Sequence, residues 1–250
     1  MSRGIASLGA CRKGTALIEM GLGLPLVLIL GLGGLEASHY VLATLRVNQI
    51  AYAVADNAGR VRHALDEADV NEIMIGAKLM GGSDFAANGR IILSDLEQRT
   101  NTTGSGGTGA TTTANPNGYR QWIRWQRCAG TLARTSTYGG PKDANGSAVV
   151  NLDSAINGDH GAVQTTSTLD GMGPTGQPIS SSGGTAVMVV EIFYAYKPLV
   201  PVYAFGAATL HVFQAFNIRQ RTDFSVYNAG SLSGTARSDC RLFSATVPAV

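Results

Sequence analysis

The hydrophobic pattern divides the chain into an N-terminal helical part and a longer part built from strands and loops. Residues 15–35 form a continuous apolar run in which Glu19 is the one ionisable residue. At about 1.5 Å per residue, a helix of this length crosses the hydrocarbon core of a bilayer, which is about 30 Å thick. We therefore predict a transmembrane helix over residues 15–35, with a kink at Pro25.

After this run the apolar pattern becomes one-sided. Over residues 47–65 apolar positions recur at spacings of three and four, opposite a polar face, which predicts an amphipathic helix continuing the first one. Asp69 and Glu72 have the spacing of a capping box, and the short apolar stripe behind them stops at Gly81-Gly82. Residues 36–82 are thus predicted to form amphipathic periplasmic helices.

Residues 83–250 are predicted to form a β-rich head. Dense β-branched, aromatic or alternating residues indicate strands at 89–98, 119–128, 186–200 and 207–221, with a weak strand near Leu242. The strands at 186–200 and 207–221 are separated by a short connection, so we expect them to pair antiparallel. Residues 101–118 and 138–184 are rich in glycine, serine and threonine, which predicts long loops, although the second is long enough to contain short strands.

Together these patterns predict an α+β fold, in which a long N-terminal transmembrane-plus-periplasmic helix packs on a mainly antiparallel β-sheet head. Arg3, Arg12 and Lys13 precede the apolar run, which predicts a cytoplasmic N-terminus and a periplasmic head. A secretory signal peptide fits less well, because its apolar region is about 7 to 15 residues long and ends at a small-residue cleavage site. The nearest such site, residues 35–37, begins with leucine.

Charge and composition narrow the function classes. The formal net charge of +2 is more than supplied by the three basic residues before the apolar run, so the head has no basic excess and we expect no nucleic-acid partner. Aromatic and basic residues interleave in residues 119–128, where strand alternation predicts a half-buried strand. The four histidines lack the spacing of metal ligands, and no serine occupies a nucleophile elbow. We predict no enzyme, no catalytic residue, no metal and no cofactor.

The three cysteines fall on different sides of the apolar run. Cys11 precedes it, whereas Cys128 and Cys240 follow it and would share an oxidising periplasm. A disulfide between these two would close a long loop and stabilise the fold by about 3 to 5 kcal/mol. The alternative is a pair of buried thiols.

The residues around the start of the apolar run carry a resemblance to a known family. Basic residues, Gly14 and a glutamate at the fifth apolar position resemble type IV prepilin-like proteins, which a membrane prepilin peptidase cleaves after the glycine. The sequence RKGTALIEMGLGLPLVLIL, with its internal proline, resembles the TadE-like family, the pseudopilins of the Flp/Tad (tight adherence) pilus system. VEIFYAYKPLVP and LHVFQAFNIRQR are similar to the C-terminal half of that family.

The resemblance implies a pilin-like minor pseudopilin of the inner membrane, whose leader, residues 1–14, is removed between Gly14 and Thr15. Glu19 would serve in recognition and would pair with the new α-amino group of Thr15 on a neighbouring subunit. In a low-dielectric setting such a pair replaces two isolated charges and fixes axial register more than it adds net stability. The implied partners are the prepilin peptidase, other pilin or pseudopilin subunits contacted through the N-terminal helix, and the inner-membrane assembly platform.

Two alternatives remain open at this level. Glu19 lies one turn into the apolar run, where a carboxylate near the interface is tolerated without any function. The whole chain could also be an unprocessed single-pass protein whose periplasmic head binds a partner or serves in adhesion. The spacing of Gly14 and Glu19 separates these interpretations, because a plain membrane anchor needs neither residue.

Overall fold

The computed structural model describes residues 12–99, 120–141, 162–163, 171–174, 177–200 and 209–244. Its helices are α1 (Arg12–Arg60), α2 (Glu67–Asn88) and a 3-10 turn (Gly234–Ala236). Its strands are β1 (Leu65–Asp66), β2 (Gly89–Arg99), β3 (Arg120–Ala129), β4 (Ala162–Val163), β5 (Ala186–Ala195), β6 (Thr209–Asn217) and β7 (Val226–Tyr227). The predicted leader up to residue 11 and the predicted loop 101–118 lie outside the described residues.

The chain forms two compact units, and the division falls within α1. The first unit comprises residues 1–43 and 197–208. The second, here called the β-rich unit, comprises residues 44–196 and 209–250. Each unit is held together by its own contacts.

Helix α1 ends at Arg60 and not at residue 65 as the periodicity predicted. The last carbonyl groups of a helix need partners from outside it. Here Arg221 Nη1 donates to the carbonyl of Ala58 at 2.8 Å, and the Arg219 amide donates to the carbonyl of Gly59 at 3.3 Å. The segment after β6 therefore takes up the free carbonyl groups and terminates the helix.

The predicted capping box of α2 was placed three residues too late. The N-cap is Asp66, whose Oδ1 accepts from the Ala68 amide at 3.1 Å, while Asp69 Oδ2 accepts from the Asp66 amide at 2.9 Å. Asp69 thus occupies the third helical position and not the cap. The predicted stop at Gly81-Gly82 coincides with an interruption of the helix, because Gly82 has non-helical backbone angles with φ of 74°, and a further helical stretch then continues to Asn88.

The main sheet has the strand order β4-β3-β2-β5-β6, and every neighbouring pair is antiparallel. The four long strands lie where the sequence pattern predicted them, and β5 and β6 form the expected antiparallel pair. Two are shorter than predicted, since β5 ends at Ala195 and β6 at Asn217. The weak strand expected near Leu242 is wrong, because within residues 209–244 that region makes only an isolated bridge from Ser244 to Gly130.

Part of the predicted loop 138–184 contains short pieces of strand, which local composition did not reveal. β4 pairs with β3, Met172 bridges Ile179, and Gly183 bridges Gln98. The pairing partner of β4 and that of Gly183 are remote in sequence, and the pieces are too short to show an alternating pattern. They give the sheet an additional edge.

The C-terminal part of α1 packs on the sheet and completes the predicted α+β fold. The apolar positions on one face of the helix are buried from Val47 to Ala58, and the Tyr52 side chain, 54% exposed, meets the Phe216 ring edge to face with centroids 4.8 Å apart. Gly59 lies so close to β6 that an added Cβ would come within 3.3 Å of the Asn217 carbonyl oxygen. The α+β prediction, with a long helix packed on an antiparallel sheet, is confirmed.

On one face of the sheet the apolar core contains Ile92, Phe193 and a cystine. Cys128 and Cys240 are joined in a disulfide, with their Cα atoms 4.6 Å apart and a sequence separation of 112. Arg90 holds the same C-terminal segment, because its Nη2 donates to the Cys240 carbonyl at 2.6 Å. The cystine therefore fastens the end of the chain to β3.

A cluster of charged side chains lies buried within the β-rich unit. Asp95 on β2 is fully buried near Glu97, and Arg124 Nη1 donates to Glu97 Oε1 at 2.8 Å. Burial and then the negative charge of Glu97 raise the pKa of Asp95 well above its ordinary value, while the Arg221 guanidinium opposes the change. The neutral form of Asp95 is the one that the fold favours.

We expect Asp95→Asn to make the β-rich unit less sensitive to rising pH. The unfolded carboxyl has a pKa near 3.9, and the folded pKa is higher, so the contribution of Asp95 is present at low pH and is lost as the pH rises above about 4. Between the unfolded and the folded pKa, ionisation of this group lowers the free energy of unfolding of the parent by up to about 1.4 kcal/mol per pH unit. Asparagine does not ionise, so the free energy of unfolding of the variant should exceed that of the parent most at neutral pH.

The measurement is urea unfolding of the full chain in detergent between pH 4 and 8. Asp223→Asn is a control, because although burial raises the pKa of Asp223, hydrogen bonds from Tyr227 and Ser225 lower it overall, which places its effect at lower pH. Equal pH profiles for the parent and Asp95→Asn would contradict this prediction.

Candidate functional site on the first helix

The N-terminal half of α1 exposes its apolar side chains all around the helix. Every large apolar side chain between residues 17 and 35 is exposed, from 38% for Leu32 to 76% for Leu22. Such a surface is far larger than the apolar patches of soluble proteins and fits a lipid environment, where a helix satisfies its own backbone groups. Among the described residues, one helix, at the N-terminal end, is long and apolar enough to cross a membrane.

The residues of the predicted processing site lie in the first two turns of α1. Gly14 and Thr15 are exposed, and nothing lies within 4 Å of the position that a Cβ of Gly14 would take. Glu19 is also exposed and lies four residues after Thr15, on the same face of the helix. The structure therefore presents the Gly14-Thr15 peptide bond and the Glu19 carboxylate together on one accessible surface.

Pro25 lies inside α1, and helical structure continues on both sides of it. Proline has no N–H donor, so the carbonyl of Gly21 lacks its ordinary intrahelical partner. The kink at Pro25 stays a prediction. Nothing within 4 Å would meet an added Cβ at any of the helical glycines nearby, which are Gly21, Gly23, Gly31, Gly33 and Gly34. Small residues of this kind allow another helix to approach closely in a membrane.

The exposed part of α1 lies within a segment that matches a known protein family. Residues 14–56 match the family model of the TadE-like protein. The match begins at the glycine of the predicted processing site and extends into the part of α1 that packs on the sheet, so the resemblance found in the sequence is confirmed over these residues. A TadE-like segment indicates a Tad pilus-associated protein. No curated protein matches the chain, and no solved structure does either.

The TadE-like segment contains a buried acid that the sequence analysis did not single out. Glu36 follows the apolar run directly, and its side chain is fully buried. Its Oε2 accepts hydrogen bonds from the backbone amides of Leu199 at 2.9 Å and Val200 at 3.1 Å. The available signal was a lone carboxylate at the end of an uncharged run, which needs a partner if it is not in water.

A second polar cluster outside the TadE-like segment lies around Glu191 on β5. This buried carboxylate accepts from the Ser136 hydroxyl and, at 3.1 Å, from the Thr137 amide, and it lies 3.2 Å from His211 Nε2. The serine donates to the acid and not to the histidine, so the order of an acyl-transfer triad is not present in these residues. The cluster ties the loop after β3 to β5.

Among the described residues, no group of three or more His, Cys, Asp and Glu side chains is arranged to hold a metal ion. His160, which lies beside an aspartate in the sequence, falls outside the described residues.

Proposed function

We propose that this protein is a minor pseudopilin, or pilus assembly protein, of a Tad-type pilus or secretion system. In this proposal a prepilin peptidase cleaves the inner-membrane precursor after Gly14, the N-terminus is cytoplasmic and the β-rich unit is periplasmic. One observation carries the proposal: the TadE-like match begins at Gly14 and includes a stretch of helix, residues 17–35, in which every large apolar side chain is exposed. The helix therefore needs lipid and other helices around it.

The first turn of α1 suits processing. Gly14 is small and exposed, so the peptide bond that follows it lies on an accessible part of the helix surface. Cleavage removes the basic leader and leaves a positively charged α-amino group on Thr15.

Glu19 is the proposed partner of that new α-amino group on an adjacent subunit. A lone carboxylate inside a membrane bundle is unfavourable, by about 2.5 to 3.5 kcal/mol at mid-depth on insertion scales. Pairing with an ammonium group removes much of this penalty. The pair forms at only one axial position of a subunit helix relative to its neighbour, and at every other position the penalty remains. The residue therefore selects the register between subunits, and the surrounding apolar surface supplies the contact area.

We expect Glu19→Ala to leave the protein in the membrane but to reduce piliation at least about ten-fold, which corresponds to a loss of about 1.4 kcal/mol in a single assembly contact. Membrane insertion should persist because the substitution makes the helix more apolar. Met20→Leu is the matched control, because Met20 is a 70% exposed neighbour that carries no charge. Piliation is measured by counting surface filaments, and insertion by membrane fractionation. Normal piliation in Glu19→Ala would rule out the register role.

The alternative is an unprocessed single-pass membrane protein whose periplasmic part binds a partner or serves in adhesion. The exposed apolar helix supports this function equally, since any anchor needs such a surface. It gives no role to the spacing between Gly14 and Glu19. Under this alternative, Glu19→Ala and Met20→Leu should behave alike.

A further inference from the structure

Glu36 fastens a remote piece of chain to the end of the apolar helix. Both parts belong to the first unit, which combines residues 1–43 with residues 197–208. The hydrogen bonds from the Leu199 and Val200 amides to Glu36 Oε2 are charge-assisted, the stronger kind of hydrogen bond. Burial of the carboxylate away from water strengthens them further. Residues 199 and 200 therefore lie against α1 at Glu36, directly after the apolar run 15–35.

The segment held by Glu36 has the composition of a membrane interface. Lys197 is exposed, and the side chain of Leu199 is 55% exposed. Lys197 is followed by the sequence PLVPVYAFGAATL, residues 198–210, which contains no charged residue and includes two aromatic residues. Lysine, aromatic and aliphatic residues side by side are typical of protein segments at the boundary between lipid and water.

The position of Glu36 sets the depth of this segment. When residues 15–35 of α1 cross the hydrocarbon core, the next residue lies at the outer boundary of that core. A segment bonded to Glu36 must then lie among the lipid headgroups, with the exposed Leu199 side chain next to the acyl chains and Lys197 at the depth of the phosphate groups.

We propose that residues 197–200, here called the interfacial segment, contact the lipid surface of the bilayer that α1 crosses, and that Glu36 is the positioning residue for this contact. The inference rests on the membrane span of the proposed function. The large apolar side chains between residues 17 and 35 are exposed all around the helix, so this apolar surface alone gives the helix no preferred rotation about its axis. A second lipid contact on one side fixes that rotation, and with it the direction in which Glu19 points.

The test is the depth of a nitroxide label at residue 199, measured by its collisions with oxygen and with a water-soluble nickel chelate. The full chain carries Cys11→Ser and Leu199→Cys, while Cys128 and Cys240 are bonded to each other and do not take the label. The protein is placed in phosphatidylglycerol-containing liposomes at low density. Leu26→Cys gives the reference for lipid, and Glu72→Cys, at an exposed position on α2, gives the reference for water.

We expect the label at residue 199 to be about ten-fold less accessible to the nickel chelate than the label at residue 72, which corresponds to an exclusion of about 1.4 kcal/mol, and to be accessible to oxygen. Accessibility equal to that at residue 72, or shielding from both reagents, would overturn the inference. If the label at residue 26 is itself accessible to the chelate, the membrane span and the proposed function fail together. Lipid accessibility at residue 26 with water accessibility at residue 199 rejects the inference alone.

The role of Glu36 is tested in the same assay. Glu36→Ala removes both hydrogen bonds and should return the label at residue 199 to the accessibility of the water reference. Glu36→Gln keeps one carbonyl acceptor and should give an intermediate value. Ser38→Ala is the matched control, because Ser38 Oγ donates only to the Gly34 carbonyl within the helix, at 2.9 Å. An unchanged depth in both Glu36 variants would overturn the positioning role.

Discussion

Replacing Glu67 by alanine should lower the free energy of unfolding of the β-rich unit by about 3 to 5 kcal/mol. Arg127 Nε donates to both carboxylate oxygens of Glu67, at 3.1 and 2.9 Å, and Nη2 donates to Oε1. Both side chains are 1% exposed. The substitution leaves the Arg127 guanidinium buried without its counter-ion, and the loss is a large fraction of the about 5 to 15 kcal/mol that stabilises an ordinary domain.

The measurement is urea unfolding of the full chain in detergent, followed by tryptophan fluorescence, because Trp122 and Trp125 are buried in the parent. Glu72→Ala is the matched control on the same helix, where an exposed substitution should change stability by less than about 0.5 kcal/mol. A double variant, Glu67→Leu with Arg127→Met, should recover much of the loss, since it leaves no unpaired buried charge. Equal stability of Glu67→Ala and Glu72→Ala would contradict the account.

Removing the disulfide by Cys128→Ala and Cys240→Ala should lower the free energy of unfolding by about 3 to 5 kcal/mol. The bond closes a loop with a sequence separation of 112 residues, so the unfolded chain gains much conformational freedom without it. The folded C-terminal segment should stay in place, because Arg90 Nη1 donates to the Leu242 carbonyl at 2.6 Å and Nη2 to that of Cys240. The effect thus arises chiefly in the unfolded state.

Reductant gives the control for this prediction. The parent should lose stability in dithiothreitol by the same amount as the double variant, and the double variant should not respond. Cys11→Ser, which lies outside the closed loop, should leave both values unchanged. A loss below about 1 kcal/mol would contradict the loop-closure argument, and a thiol count showing Cys128 reduced in the native envelope would exclude the bond.

The architecture followed from sequence wherever a signal was local and repeated. The apolar run of α1 and the β-branched density of β5 are such signals, and both elements lie where they were predicted. The capping box of α2 was misplaced because the run DEAD at 66–69 offers several acids for the cap. Asp66 is selected by a remote contact, since its Oδ2 also accepts from the Ala229 amide at 2.8 Å.

Pairings between distant parts of the chain left no trace in local sequence. β1 and β7 form a parallel pair of two residues each, with Leu65 opposite Val226. The contact of Glu36 with Leu199 joins residues 163 positions apart. A single carboxylate and two backbone amides have no pattern that a sequence window can detect, so this part of the candidate site emerged only from the fold.

The N-terminal part of the candidate site has a short and contiguous sequence signature, and the roles of its residues stay a prediction. Gly14 and Glu19 keep the spacing of a prepilin-like start, and the family match begins at that glycine. The similarity noted for the strands β5 and β6 lies outside the matched residues and stays a prediction. Residues 101–184 carry no comparable family signature, and outside the strand at 119–128 their composition predicted long loops.

The most direct test of the account is the N-terminus of the protein in its native membrane, determined by mass spectrometry with and without the prepilin peptidase of the host. We expect a peptide that begins at Thr15 when the peptidase is present and an uncleaved N-terminus when it is absent. An intact Met1 in both strains, or a start near Ser38, would contradict the proposed processing and leave an anchored binding protein or a secreted domain.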